Sequence, residues 1–184
     1  REKLGYVPQK GVLFSGTIGS NILFGNQKGS DGEMQEAAEI AQAMEFIETK
    51  PDRFESSISQ GGANVSGGQK QRLSIARAVA KHPDVFIFDD SFSALDYKTD
   101  VTLRKALKEK TENSTVLIVA QRISTILHAE QIIVLDDGEV AGIGTHRELL
   151  RDCEVYRQIA ESQLSEQELA ETGINSGKEE LTHE

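Results

Sequence analysis

The sequence predicts an α/β fold built on a parallel sheet, and three observations carry the prediction. Two short runs, VFIFDD (85–90) and TVLIVA (115–120), are apolar without polar alternation, the pattern of strands covered on both faces. Segments of helical periodicity separate these strands, as connections between parallel neighbours require. Polar residues (Gln9, Asp89, Asp90 and Gln121) fall at or just past strand ends, where open α/β sheets place their ligands.

Taken in order, Leu4 to Val7 reads as a short strand, and Pro8 ends it by removing a backbone donor. Residues 10–30 are rich in Gly, Ser and Asn and read as a loop or flexible connector anchored by Leu13, Phe14, Ile18, Ile22, Leu23 and Phe24. Met34, Ala37, Ala38, Ala41, Met44 and Ile47 recur at helical spacing, with Asp31 as the expected N-cap and Pro51 as the stop. SQGGANVSGG (59–68) opens a basic helix from about Gly67 to Lys81, with Leu73, Ala76, Val79 and Ala80 as its buried stripe. His82-Pro83 stops that helix. After the 85–90 strand come a helix from Tyr97 to Lys110, the 115–120 strand and a short helix from Ile123 to His128. QIIVLDDGEVAGIG (131–144) reads as strand, Asp-Gly turn, strand. Thr145 is expected to cap a helix over HRELL, and Val155 to Gln163 to form the last one.

The chain has 184 residues, the size of one domain, with 38% hydrophobic and 27% charged residues. A formal charge of −10 argues against a general nucleic-acid binder, which needs clustered Lys and Arg. From Ser162 onward six Glu stand against one Lys, so the end of the chain (164–184) is expected to be a solvated, disordered acidic tail. Cys153 is the one cysteine, which excludes an internal disulfide and suits a reducing compartment; its neighbours hold no metal-ligand spacing, so its expected role is structural. No apolar run approaches the ~18 residues of a membrane span, and no signal-peptide pattern opens the chain. REKLGYVPQ, with no initiator Met, reads as the middle of a domain.

Paired carboxylates at a strand tip, Asp89 and Asp90, hold a metal or activate a water. The four strand-end polar groups either converge on one site or stand apart as separate polar ends. In SGGQ (66–69), Ser66 suits an N-cap, and two glycines let an anion approach the positive end of the helix. An isolated SGG also serves simply to turn a loop into a helix with positive φ.

The wider context resolves more. VSGGQKQRLSIARAVAKHPDVFIFDDSFSALD (65–96) closely resembles the signature motif, Walker B strand and D-loop of an ATP-binding cassette domain. YVPQ (6–9) resembles the Q-loop, LFSGTIGSNILFG its exporter-type continuation, TVLIVAQRISTI the switch-loop strand, and DGEVAGIGTHRELL the C-terminal part of exporter cassettes. The resemblance covers residues 1–163. It implies a P-loop NTPase-like core with a helical signature subdomain over about 10–82, and Walker B to the C-terminal elements over 83–163. A phosphate-cradling GxxxxGK[ST] loop is absent. The nearest approach, GINSGKEE (173–180), has one residue too few between its glycines and Glu179 where the hydroxyl belongs. The P-loop is therefore expected upstream of Arg1, and this part alone is expected to be inactive.

The resemblance implies that Asp89 helps hold Mg²⁺ with Gln9, and that Gln121 faces the ATP phosphate. Ser66, Gly67, Gly68 and Gln69 would complete the ATP site of a second cassette paired head to tail, with Ser93, Ala94, Leu95 and Asp96 at the dimer interface. Three positions depart from hydrolysing members. Asp90 stands where they carry Glu, Gln121 where they carry His, and Gln60 where exporters of this type carry Glu. Asp is one methylene shorter, and a base displaced by about 1 Å loses on the order of a hundredfold in rate. Gln cannot take a proton as His does. These losses imply the degenerate subunit of a heterodimeric drug or lipophile exporter, acting at the cytoplasmic face of the membrane beside its own transmembrane domain. A slow homodimeric exporter, and a nucleotide-gated binding module without a transporter, are the alternatives.

Overall fold

In this computed structural model, which describes residues 2–169, the chain divides between Val119 and Ala120 into two units. The first begins with the expected strand, β1 (Leu4–Val7). The segment after it is not a flexible connector: it contains a short strand, β2 (Gly16–Thr17), and a five-residue helix, α1 (Ile18–Ile22). Thr17 and Ser20 cap each other there, each side chain accepting from the other's N–H. Buried Asn21 accepts from the Phe14 N–H and donates to the Phe14 and Thr17 carbonyls. The small polar residues of this stretch are thus spent on backbone groups, and Leu13, Ile18 and Ile22 sit in the core.

The next helix, α2 (Asp31–Ile40), is capped by Ser30 in a reciprocal pair with Glu33, not by Asp31. Asp31 falls in the first turn, where its charge meets the positive helix end. The apolar periodicity continues to Ile47 but the backbone does not: Gln42 adopts φ +54°, and a separate turn, α3 (Met44–Ile47), follows. A two-residue strand, β3 (Ser57–Ile58), pairs antiparallel with β2. Then come α4 (Gly67–Val79), β4 (Val85–Asp89), α5 (Tyr97–Lys110) and β5 (Thr115–Val119), in the places the sequence predicts.

The sheet has the order β1-β4-β5, with both pairs parallel; Val7 lies opposite Phe88, and Asp89 opposite Val119. Val7, Phe86 and Phe88 on one face share a core with Leu73, Ala76 and Val79 of α4 and with Leu103 and Leu107 of α5. On the other face Leu4, Tyr6, Leu117 and Val119 are exposed, and the described residues supply no second covering layer there. Side chains alternate across a strand, so apolar residues at successive positions need two covering layers. The α4–α5 core supplies one.

The second unit starts with α6 (Ile123–Ile126) and an antiparallel hairpin, β6 (Ile132–Asp136) and β7 (Glu139–Gly144). Its turn residues, Asp137 and Gly138, both have positive φ (+47° and +83°), the backbone an Asp-Gly pair favours. Thr145 and Glu148 form the capping box of α7 (His146–Asp152), and α8 (Glu154–Gln163) follows. Cys153 is buried with Leu149, Leu150 and Tyr156, as a structural role requires. The expected acidic tail begins with order: α9 (Glu166–Leu169) closes the described chain, and Leu164 and Leu169 are buried in the same cluster. Two leucines five residues apart outweigh the local charge there. The rest of that tail, including GINSGKEE, lies outside the described residues. Among those residues no helix is long and apolar enough to cross a membrane.

Candidate functional site

Parallel pairing of β1 with β4 sets the carboxyl ends of both strands side by side, and with them the residues that follow. Three of the expected site residues meet there. Gln9 Nε2 donates to Asp90 Oδ2 at 3.2 Å. Asp89 lies next door and accepts from the Tyr6 hydroxyl at 3.0 Å. That bond to a carboxylate raises the Tyr6 phenol above its ordinary pKa, so Tyr6 serves as a neutral donor. Tyr6 was not singled out from the sequence. It sits opposite Ile87, two residues before Asp89, and so shares the face of that carboxylate; the signal is legible once the register is known.

Asp90 leaves the strand in the left-handed region, with φ +43°. Asp tolerates that backbone better than most side chains because its short carboxylate bonds locally. The turn is pinned from several sides. Asp90 N–H donates to the Val119 carbonyl at 2.8 Å, extending the ladder to β5, and Ser93 Oγ donates to the Asp90 carbonyl at 2.9 Å. Ser91, fully buried, donates its hydroxyl to the Val7 carbonyl at 2.8 Å and ties this turn to the end of β1. Gln121 belongs to the second unit, just ahead of α6, where its carbonyl accepts from Gln163 Nε2 at 2.9 Å.

The SGGQ stretch is the start of α4. Ser66 Oγ accepts from the Gln69 N–H, and the Gln69 side chain accepts from the Ser66 N–H, a complete capping box. Neither Gly67 nor Gly68 has positive φ; Gly61 and Gly62, further upstream beside exposed Gln60, do that work at +65° and +69°. A Cβ on Gly67 would meet nothing within 4 Å, so its lack of a side chain leaves the helix start open to an approaching group. The turn therefore does not account for these two glycines.

Of the four residues expected at a dimer interface, Ser93, Ala94 and Asp96 are exposed, whereas Leu95 is buried in the core of the first unit. Asp96 is the N-cap of α5: it accepts from the Thr99 N–H at 3.0 Å and from the Thr99 hydroxyl at 2.6 Å. Those bonds, the hydroxyl's first, hold its carboxyl below the usual range. Two α4 side chains organise the segment after Gln9 and were also missed. Arg77 donates to the Val12 and Asn21 carbonyls and the Asn21 side chain, each at 2.8 Å, while stacked on Phe14 and Phe24. Gln71 bonds to Pro8 and Gly11. Both lie on a basic helix, where polar residues read as solvent-facing.

Gln9 and Asp89 offer oxygen ligands. With its nitrogen turned to Asp90, the Gln9 amide keeps Oε1 for a cation, and the Tyr6 bond uses one of the two Asp89 oxygens. This donor set fits Mg²⁺, which takes few protein ligands and fills the remaining positions with water and phosphate oxygen.

The ABC transporter family's sequence profile matches residues 1–93. The chain is 45% identical over 163 residues to an uncharacterised ABC transporter ATP-binding protein of Mycobacterium bovis, a match spanning 87% of this chain and 28% of that one. It is 46% identical over 163 residues to an uncharacterised ABC transporter ATP-binding protein of Bacillus subtilis, covering 89% and 28%. A Staphylococcus aureus relative, named as a candidate multidrug export ATP-binding/permease protein, is 41% identical over 159 residues, covering 86% and 28%. Among solved structures, a bacterial Atm1-family ABC exporter with ATP bound superposes with a TM-score of 0.86 at 37% identity, over 90% of this chain and 29% of that chain. The chain therefore spans less than a third of the length of these relatives. Its parallel sheet has the fold of the exporters' nucleotide-binding domain, and the chain belongs to the ABC transporter family.

Proposed function

We propose that this chain is the C-terminal part of a degenerate nucleotide-binding domain, from one subunit of a heterodimeric exporter. In this reading the subunit's own site grips ATP and cleaves it slowly, while Ser66, Gly67, Gly68 and Gln69 complete a competent site on the partner subunit. The observation that carries it is Asp90. Its backbone is pinned at φ +43°, and its carboxylate is engaged by the Gln9 amide at 3.2 Å. A pinned backbone cannot swing a short side chain outward to compensate for the missing methylene. Gln121 in place of a proton-accepting side chain supports the same reading.

Bound Mg²⁺ would neutralise phosphate charge and hold the triphosphate in place. Gln9 Oε1 and the free oxygen of Asp89 are the groups that would hold it. Tyr6, kept neutral, fixes the orientation of the Asp89 carboxylate. Asp90 orients a water without being placed to take its proton, and Gln121 donates an amide N–H to phosphate oxygen. The S. aureus relative's name and the exporter-type segments support export of drugs or lipophilic compounds. They also support a transmembrane domain in the same full-length protein and a location at the cytoplasmic face.

ATP turnover of the full-length subunit, purified alone and with its co-expressed partner, tests the proposal. The pair is expected to hydrolyse ATP and the lone subunit to be nearly inactive. A lone homodimer with turnover equal to the pair's would overturn it.

A further inference from the structure

Gln71 lies in the middle of α4 and is 1% exposed. A buried carboxamide must find partners at both ends, and this one finds them on a single turn. Nε2 donates to the Pro8 carbonyl at 3.0 Å, and Oε1 accepts from the Gly11 N–H at 2.9 Å. Those two residues bracket Gln9.

Gly11 adds an independent observation. Its φ is not positive, so no turn demands glycine there. A Cβ at this position would lie 2.8 Å from the Lys70 carbonyl oxygen and 2.9 Å from Ser74 Oγ. Glycine is required because the loop backbone rests directly on α4. The same helix begins at Ser66, five residues before Gln71, which is about 7.5 Å along a rigid helix axis. One rigid element therefore carries both the open glycine start and the clamp on the Gln9 turn.

We propose that Gln71 is a positioning residue that splints the Pro8–Gly11 turn to α4, so that the Gln9 amide and the Ser66–Gln69 helix start move as one body. Displacement of the Gln9 turn then displaces the helix start that serves the partner subunit, and the reverse. The inference rests on the reading of Gln9 as a magnesium ligand, and the test separates the two.

The full-length subunit assembled with its partner is the material, with the partner's own nucleotide site disabled. Amide hydrogen exchange is read on the peptide containing Gly11, and the Mg²⁺ midpoint is read with a fluorescent ATP analogue. Gln71→Met, which removes both bonds, is expected to speed exchange at Gly11 at least tenfold and to raise the Mg²⁺ midpoint several-fold. Gln71→Glu keeps an acceptor for the Gly11 N–H and is expected to restore slow exchange there. Gly11→Ala, which pushes the turn off the helix, is expected to match Gln71→Met. Because Gln71 acts through Gln9, Gln71→Met should add little to the midpoint shift of Gln9→Ala. Unchanged exchange in Gln71→Met, or an equal midpoint shift with and without Gln9, overturns the splint. If Gln9→Ala alone leaves the midpoint in place, the ligand reading of Gln9 fails, and exchange at Gly11 still decides the splint.

Discussion

Replacing Asp90 by Glu, together with Gln121→His, is the most direct test of the short-carboxylate argument. The added methylene advances the carboxylate by about 1 Å, and a catalytic group misplaced by that much costs on the order of a hundredfold. At 1.36 kcal/mol per tenfold, the barrier at this site should fall by about 2.7 kcal/mol. The backbone opposes the change, since φ is +43° at this position and Glu tolerates the left-handed region less well than Asp. That penalty, about 1 kcal/mol, falls on folding rather than on the barrier. The double variant should therefore show turnover raised by up to about a hundredfold with a slightly lower melting temperature. The assay is steady-state ATP hydrolysis by the full-length pair, with the partner's own site disabled so that all product comes from this site. Unchanged turnover in a pair that still binds ATP here would refute the assignment of Asp90 as the limiting group.

Two further outcomes follow from local geometry. Ser66→Ala removes the α4 cap and half of its capping box and should cost about 1 kcal/mol of stability, read as a lower denaturant midpoint of the purified chain. In the second unit, His146 is buried, with Nδ1 2.8 Å from the Tyr156 hydroxyl, whose own pKa burial pushes up to about 12. Burial, and then the charges of His128 and Arg147, hold His146 below its ordinary value. The unfolded chain then binds a proton first as pH falls, so stability is fully present above about 6.5 and declines below it. Thermal unfolding against pH should show this decline, and His146→Phe should flatten it; a variant with the same slope would remove His146 as its source.

Much of the scaffold is legible along the chain. β4, α5 and the Asp137-Gly138 hairpin lie where apolar runs and turn residues put them, because each is specified by neighbours in sequence. Legibility fails where partners are distant or where two local readings compete. Residues 10–30 have loop composition, yet Thr17, Ser20 and Asn21 use their side chains as caps and braces, which only the folded neighbourhood reveals. Ser30 and Asp31 are both good caps, and the reciprocal bond with Glu33 selects Ser30. In the site, Gln9, Asp89 and Asp90 are visible as strand-end polar residues, whereas Tyr6, Ser91 and Gln71 enter through contacts 83, 84, and 63 and 60 residues away.

Sequence alone was enough for the fold class, the family resemblance and the side chain present at each proposed site position, since these depend on residue type and spacing. Tertiary structure alone decided the turned backbone of Asp90, the register that brings the Tyr6 hydroxyl to Asp89, and the carboxamide of Gln71 aimed at the Gln9 turn. The physical reason is range. Propensity and periodicity act over a few residues, whereas hydrogen-bond partners and burial are set by strands and helices that meet only after the chain has folded.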